Sequence, residues 1–270
     1  MTVVTLLHPG AMGAAVGRQA VSAGATVLWV GAGRSDATRR RAVDAGLIER
    51  PSVDAALAES DVVLSICPPA FAEDVALSAA GFTGVYVEAN AIAPERSQRI
   101  AQLLPSARFV DGGIIGGPPS ASGSTRLYLS GSSGGVPELF AGTALDVVVL
   151  DGEVGVASAL KIAYASYQKT TWALAAVSHA LAAAHGVGAE LLAEAARLQA
   201  RPLLQTDSYP SVAARGWRWA PEMLEVAASL RAAGLPDGLA LGSADTMRRW
   251  EPAKDRTDLP VEDVLGLLAP

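Results

Sequence analysis

Through the first half of the chain, short runs of aliphatic and β-branched residues alternate with alanine-rich stretches. The runs Val3 to Leu7, Thr26 to Val30, Asp61 to Ile66, Gly84 to Glu88, Arg108 to Val110, Arg126 to Ser130 and Asp146 to Leu150 read as strands. Residues 12–23 and Asp36 to Ala45 read as helices, stopped by Gly24 and Gly46. Strands that are apolar on both faces and separated by helices predict a doubly wound parallel α/β sheet.

The pattern changes near Asp151. From about Gly155 to His185 there is no proline and no strand pattern, only a long alanine-rich run that Gly186 can cap. Some thirty residues of helix span roughly 45 Å, more than one small domain needs. The run is apolar on most faces, so burial all round is expected, partly by a second subunit. Further helices are expected over Ala189 to Gln199, Ser211 to Ala214 and Pro221 to Ala233. The reading is therefore an α/β domain over 1–152 and an all-α domain over 153–270, opened by one long interdomain helix. No internal repeat is visible.

Composition narrows the function. Half of the 270 residues are hydrophobic and 18% are charged, which excludes a disordered tail protein. Lys and Arg total 21 against 27 Asp and Glu, a net charge of -6, so a nucleic-acid partner is not expected. One cysteine, Cys67, forbids an intramolecular disulfide and a thiol-rich metal cluster; three histidines leave little for a histidine site, so no metal is expected. The apolar start, Val3 to Leu7, is too short for a signal peptide, and no apolar stretch reads as a membrane span. The economical expectation is a cytoplasmic protein with a small-molecule substrate.

The segment His8-Pro9-Gly10-Ala11-Met12-Gly13 follows a strand and opens a helix. That is the place of a dinucleotide fingerprint in a Rossmann-type sheet. Gly10 would let backbone approach a pyrophosphate, Gly13 would let helix and strand pack closely, and the first helical amides would meet the phosphates. His8 stands where the fingerprint has its first glycine; it lies beside the phosphates or ribose, or caps the turn. At the end of the second strand, Arg34 and Ser35 suit a ribose 2′-phosphate, and Arg39 lies one turn on. Two of the three arginines in Arg39-Arg40-Arg41 are expected to face solvent. Asp36 argues the other way, toward NAD. The balance favours NADP, with NAD not excluded.

Four further segments arrive in order: Val63 to Pro69, Glu88-Ala89-Asn90 to Pro94, Asp111-Gly112-Gly113-Ile114-Ile115-Gly116-Gly117-Pro118, and Gly155 to Lys161. With the Gly10–Gly13 turn they resemble the β-hydroxyacid dehydrogenase family, which includes 6-phosphogluconate dehydrogenases and the related imine reductases. The similarity covers nearly the whole chain and is nearest to a branch with a compact helical C-terminal domain. It implies an oxidoreductase with Lys161 as general acid/base. Lys161 is one of three lysines against 18 arginines and sits among Ala, Leu and Ile, a setting that would lower its pKa unless it is paired. A snorkelling lysine is the bland alternative.

The resemblance also implies that Asn90 approaches the nicotinamide ribose and that Cys67, Pro68 and Pro69 wall the cofactor. The amides of Gly116 and Gly117 would hold a substrate carboxylate. Two positions depart from the family: Ala165 stands for an asparagine one turn after the lysine, and Ile115 for a serine. Tyr164 and Gln168 are the neighbours that would orient substrate instead. Trp217, Trp219, Arg218 and Glu222 are candidates to line a pocket, with core packing as the alternative. The family implies a homodimer through the helical half. The expected reaction is hydride transfer between NADP(H) and a small hydroxy acid or its keto or semialdehyde partner. The alternatives are C=N reduction on the same scaffold and an NADP(H) sensor without turnover.

Overall fold

The computed structural model describes residues 1–120, 124–198 and 204–269; Gln199, the expected end of one helix, lies outside them. The chain divides into two compact units, Met1–Lys161 and Ile162–Pro270.

The first unit is built on one sheet of eight strands among the described residues: β1 (Val3–Leu6), β2 (Thr26–Val30), β3 (Ile48–Arg50), β4 (Val62–Ser65), β5 (Val85–Glu88), β6 (Arg108–Ile115), β7 (Thr125–Gly131) and β8 (Leu145–Val149). Their order is β3-β2-β1-β4-β5-β6-β7-β8. Helices α1 (Ala11–Ser22), α2 (Asp36–Asp44), α3 (Val53–Ala58), α4 (Ala72–Leu77) and α5 (Pro94–Leu103) connect the first six strands. This is the doubly wound Rossmann-type α/β arrangement, with its reversal of strand order between β1 and β4.

Alternate residues of each strand enter opposite cores. Leu6, Leu64, Val87 and Val110 pack on one face with Trp29 and Leu127. Val63 and Tyr86 pack on the other with Ile92, Ile100 and Leu104. That period of two, buried on both sides, is why the strands read as continuous apolar runs. Each fully buried aliphatic side chain contributes about 1.5–3 kcal/mol.

Three features differ from expectation. β3 is an edge strand of sequence Ile-Glu-Arg, too short and polar to be legible. β6 runs through Asp111 to Ile115 instead of stopping at Val110. β6 and β7 pair antiparallel, and β7 pairs parallel with β8, so the sheet is not parallel throughout. No helix links β6 to β7 among the described residues, and only a parallel pair requires such a crossover.

In the second unit the chain is helical: the greater part of α6 (Val156–Ala184), then α7 (Gly188–Arg197), α8 (Tyr209–Ala213), α9 (Gly216–Ala232), α10 (Gly238–Arg248) and α11 (Val261–Gly266). Ile162, Ala165, Ala176, Tyr209, Met223, Val226, Met247, Trp250 and Val264 form its core. The Trp250 indole donates to the Val264 carbonyl at 2.9 Å and ties down α11. α9 starts at Gly216, with Pro221 inside it rather than at its head. Within one chain α6 keeps an open face: Tyr167, Leu174 and Leu181, seven residues apart, are 72%, 66% and 61% exposed, on a helix expected to be covered partly by a second subunit. Among the described residues no helix is long and apolar enough to cross a membrane.

Candidate functional site

The carboxyl ends of β1 and β4 flank the point where strand order reverses, the usual crevice for ligands in open α/β sheets. The β1–α1 turn lies there. At Gly13 an added Cβ would fall 2.3 Å from the His8 carbonyl oxygen, so only glycine lets α1 start this close to the strand. No side chain caps α1 and its first turn holds no acid. Its leading amides and positive dipole end suit an anion.

His8 is held by Arg34. One guanidinium nitrogen donates to His8 Nδ1 at 2.7 Å and another to the Leu7 carbonyl at 3.1 Å. A guanidinium only donates, so Nδ1 accepts and the ring proton sits on Nε2. Burial, with the charges of Arg34 and Arg41, brings the His8 pKa down to about 4. The imidazole is therefore neutral at physiological pH. Its Cδ2–Nε2 edge faces Gly10, where an added Cβ would lie 3.4 Å from Cδ2.

The residues expected around a 2′-phosphate are engaged to different degrees. Ser35 caps α2, accepting from the Thr38 amide at 3.3 Å. Arg39 pairs with Glu49 at 2.9 Å and donates to the Gly31 carbonyl at 2.6 Å. Arg34 has no carboxylate partner among the described residues, and its buried Nε has no hydrogen bond. Arg41, from the triplet in which two members were expected to face solvent, points its buried Nε inward, also unbonded, and donates to Thr38 Oγ1 at 3.0 Å. Asp36 is exposed in the first turn of α2.

Beyond β4, Pro68 is half-buried and Pro69 starts a short 3-10 turn. The Cys67 amide donates to Asn90 Oδ1 at 2.5 Å, and the Asn90 amide side chain donates to Ser65 Oγ at 3.1 Å. Asn90 thus clasps the ends of β4 and β5. Burial, reinforced by Glu88, pushes the Cys67 thiol up to about 12, which makes it an inert hydrophobe at neutral pH.

The first turn of α6 lies directly on β6. A Cβ at Gly113 would come within 2.7 Å of the Ala157 carbonyl and 2.9 Å of Lys161 Cβ. Glycine there seats Lys161 on the strand, at the same carboxyl-end edge as the β1–α1 turn. Lys161 is half-buried. Gly116 and Gly117 are exposed just past β6, and Thr125 Oγ1 donates to the Gly117 carbonyl at 2.7 Å. Further along α6, Tyr164 and Gln168 are exposed and Ala165 is buried.

Two carboxyls that sequence reasoning passed over are buried in this region. Asp111 Oδ1 accepts from Ser97 Oγ at 2.7 Å and Ser158 Oγ at 2.6 Å. Its Oδ2 accepts from Ser130 Oγ at 2.9 Å and from the Gly155 and Ser158 amides at 3.0 Å. Glu88, its register partner on β5, accepts from the Asn90 amide at 3.1 Å and leaves Oε2 unbonded. Burial, with a smaller push from Asp111, raises Glu88 to about 8. The available signal was an acid at the end of an apolar strand, a position where a charge needs partners.

In the second unit, Lys169 is buried against Glu222 and lies over the Trp219 ring, 5.5 Å from its centroid. Trp217 donates to Asp255 at 3.3 Å under Lys254. Met223 is fully buried in the core.

Residues 182–250 match the model of a domain of unknown function, DUF1932. An uncharacterized 28.5 kDa protein of Methanothermus fervidus, from the 7S RNA 5′ region, is 27% identical over 143 residues, 53% of this chain and 56% of that protein. The chain thus spans little more than half the length of the curated relative it matches. Solved structures align over 93% to 100% of the chain. A 3-hydroxyisobutyrate dehydrogenase of Mycobacterium tuberculosis with L-serine is 19% identical, with all of both chains covered and a TM-score of 0.71. A reductive aminase from Aspergillus terreus, bound to NADPH and ethyl levulinate, is 21% identical over 98% of this chain and 99% of that one, with a TM-score of 0.61. The chain has the fold shared by hydroxyacid dehydrogenases and reductive aminases.

Proposed function

We propose that this chain is an NAD(P)-dependent oxidoreductase that favours NADP(H). It moves a hydride between the nicotinamide and a small hydroxy acid or its keto or semialdehyde partner. The observation that carries the reading is the seating of Lys161 on Gly113, at the sheet edge that also holds an uncapped, acid-free helix start. The dinucleotide fits the residues present: Gly10 leaves room beside His8, and Arg34 offers a guanidinium without a carboxylate partner among the described residues.

When bound, the nicotinamide supplies the hydride acceptor or donor. The chain's own residues do the rest. The amides of Ala11, Met12 and Gly13 hold the pyrophosphate, with Arg34, Ser35 and Arg39 at the 2′-phosphate. Pro9, Cys67, Pro68, Pro69 and Asn90 shape the wall. In oxidation, neutral Lys161 takes the hydroxyl proton as the carbinol hydrogen leaves with its electron pair; in reduction, its ammonium returns that proton to the carbonyl oxygen. Gly116 and Gly117 hold the substrate carboxylate, and Tyr164 and Gln168 orient it.

Buried Ala165 supports a second reading, C=N reduction, because it offers no amide to a substrate hydroxyl. The exposed stripe Tyr167–Leu174–Leu181 is covered by a second copy in a homodimer. Residues 1–152 serve the cofactor and contribute Gly116 and Gly117 to the substrate; 153–270 serve the substrate and the dimer.

The test is Lys161→Met, assayed with hydroxy acids, aldehydes and cyclic imines and with both cofactors. Turnover should fall by about 10²–10⁴-fold while NADPH binding, read by fluorescence, is kept. Turnover within a few-fold of the parent overturns the base assignment. Tight NADPH binding with no turnover of any compound by the parent chain would point to a sensor.

A further inference from the structure

We propose that Asp111 is the positioning residue for Lys161. The proposal rests on Lys161 as the proton-transfer group. A polar row crosses four strands of the sheet. Ser65 on β4 pairs with Glu88 on β5, Glu88 with Asp111 on β6, and Asp111 with Ser130 on β7. All four side chains are fully buried. Most of the side chains buried on this sheet are aliphatic or aromatic, so such a row is costly unless its members are bonded to one another or to the chain around them.

At its β7 end the row takes hold of α6. Asp111 Oδ2 receives the Gly155 and Ser158 amides at 3.0 Å, and Oδ1 receives the Ser158 hydroxyl at 2.6 Å. Ser130 Oγ receives the Ala157 amide at 3.0 Å. The amides of Ala157 and Ser158 in the first turn of α6, and of Gly155 just ahead of it, are thus satisfied by two side chains of the sheet. A carboxylate at a helix N-terminus is also favoured by the helix dipole.

The geometry extends to the lysine. Lys161 lies one turn beyond Ser158, and its Cβ rests on Gly113, two residues along β6 and on the same face as Asp111. Asp111 fixes the depth of the helix start, and Gly113 fixes the approach of the turn that carries the amine. An Asp or Ser just ahead of the helix would cap it equally well. A cap supplied by the strand that seats the lysine also locks the lysine's position relative to that strand.

Only three lysines are present, Lys161, Lys169 and Lys254, so their amines can be followed one by one. After reductive methylation with ¹³C-formaldehyde, the Lys161 resonance is the one missing in Lys161→Met. In a folded Asp111→Asn chain, loss of the buried negative charge should lower the Lys161 titration midpoint by about 0.5 unit or more. The unmodified variant should lose about 10-fold in kcat on the best compound of the substrate panel, with NADPH affinity unchanged. A folded Asp111→Asn with parental midpoint and kcat overturns the proposal.

If Asp111→Asn does not fold, Ser158→Ala decides. It keeps the carboxylate and removes one hydroxyl tie to α6, so it should shift the Lys161 resonance and lower kcat several-fold. Parental values there overturn the proposal too. Ser97→Ala removes a donor from the same oxygen without touching α6 and should leave the resonance in place; a shift as large as that of Ser158→Ala would mean general loosening and refute positioning. Turnover surviving Lys161→Met sinks the base assignment alone, and a silent Asp111→Asn beside an inactive Lys161→Met sinks the positioning role alone.

Discussion

Replacing Glu88 by glutamine should change how stability depends on pH. Glu88 is fully buried, with one carboxyl oxygen unbonded, and burial together with Asp111 raises its pKa from 4.5 to about 8. Between those values the folded chain holds a proton that the unfolded chain has released. Stability is therefore largest below the unfolded value and falls as pH rises through the folded one. The slope is about 1.4 kcal/mol per pH unit, or about 3 kcal/mol lost between pH 4.5 and 7. His8 acts in the opposite direction: its pKa falls from 6.5 to about 4, so it adds stability as pH rises through that window. His8 is partly open to solvent and offsets only a fraction of the Glu88 loss. The parent should weaken gently from pH 4.5 to 6.5 and steeply from 6.5 to 8. Glu88→Gln should strengthen up to pH 6.5 and then level off. Urea melts at half-unit steps, followed by circular dichroism, give both curves. Parallel curves for parent and variant would refute the reasoning, as would an infrared difference spectrum at pH 7 with no protonated-carboxyl band assignable to Glu88.

Arg34→Gln removes, from just past the end of β2, a guanidinium that has no carboxylate partner among the described residues. NADPH affinity should drop about 10–100-fold, the worth of one or two charge-assisted hydrogen bonds, while NADH affinity changes little. Equal losses in a fluorescence titration of the two cofactors would sink the 2′-phosphate role. Glutamates at Leu174 and Leu181, both largely exposed on α6, should convert a dimer into monomers. Each side chain stands to bury about 1.5–3 kcal/mol, so sedimentation showing an unchanged assembly would place any subunit contact elsewhere.

Elements with strong, unmixed patterns were legible from sequence. β1, β2, β4, β5 and α6 fall within about two residues of expectation, because each is either apolar on both faces or uninterrupted by Gly and Pro. β3 was not legible, since its outer residues Glu49 and Arg50 are held by charge pairs with Arg39 and Glu59. The extension of β6 was hidden by Gly112 and Gly113. Glycine counts against a strand by propensity, yet here Ala157 and Lys161 leave no room for a Cβ at Gly113, and the Glu88 carbonyl and Ala89 leave little at Gly112. The same contact hid the seat of Lys161: sequence marks the amine as unusual and says nothing of what it rests on. Arg41 was lost for a related reason, because a triplet of arginines does not reveal which member turns inward.

Glu88 and Asp111 are partners in register on adjacent strands, and two carboxyls so placed do not ionise together without cost. The surroundings decide which holds the charge. Every partner of Asp111 is a donor, two of them the backbone amides of Gly155, just ahead of α6, and Ser158, in its first turn, which is the pattern of an anion at a helix start. Glu88 keeps a bare oxygen and holds its proton at neutral pH. The row therefore carries one negative charge, and it sits at the end that touches α6. If glutamine at residue 88 levels the pH curve without moving the Lys161 titration, the charge beside α6 belongs to Asp111 alone. If it moves that titration as far as Asp111→Asn does, the two carboxyls share one proton and act as a pair.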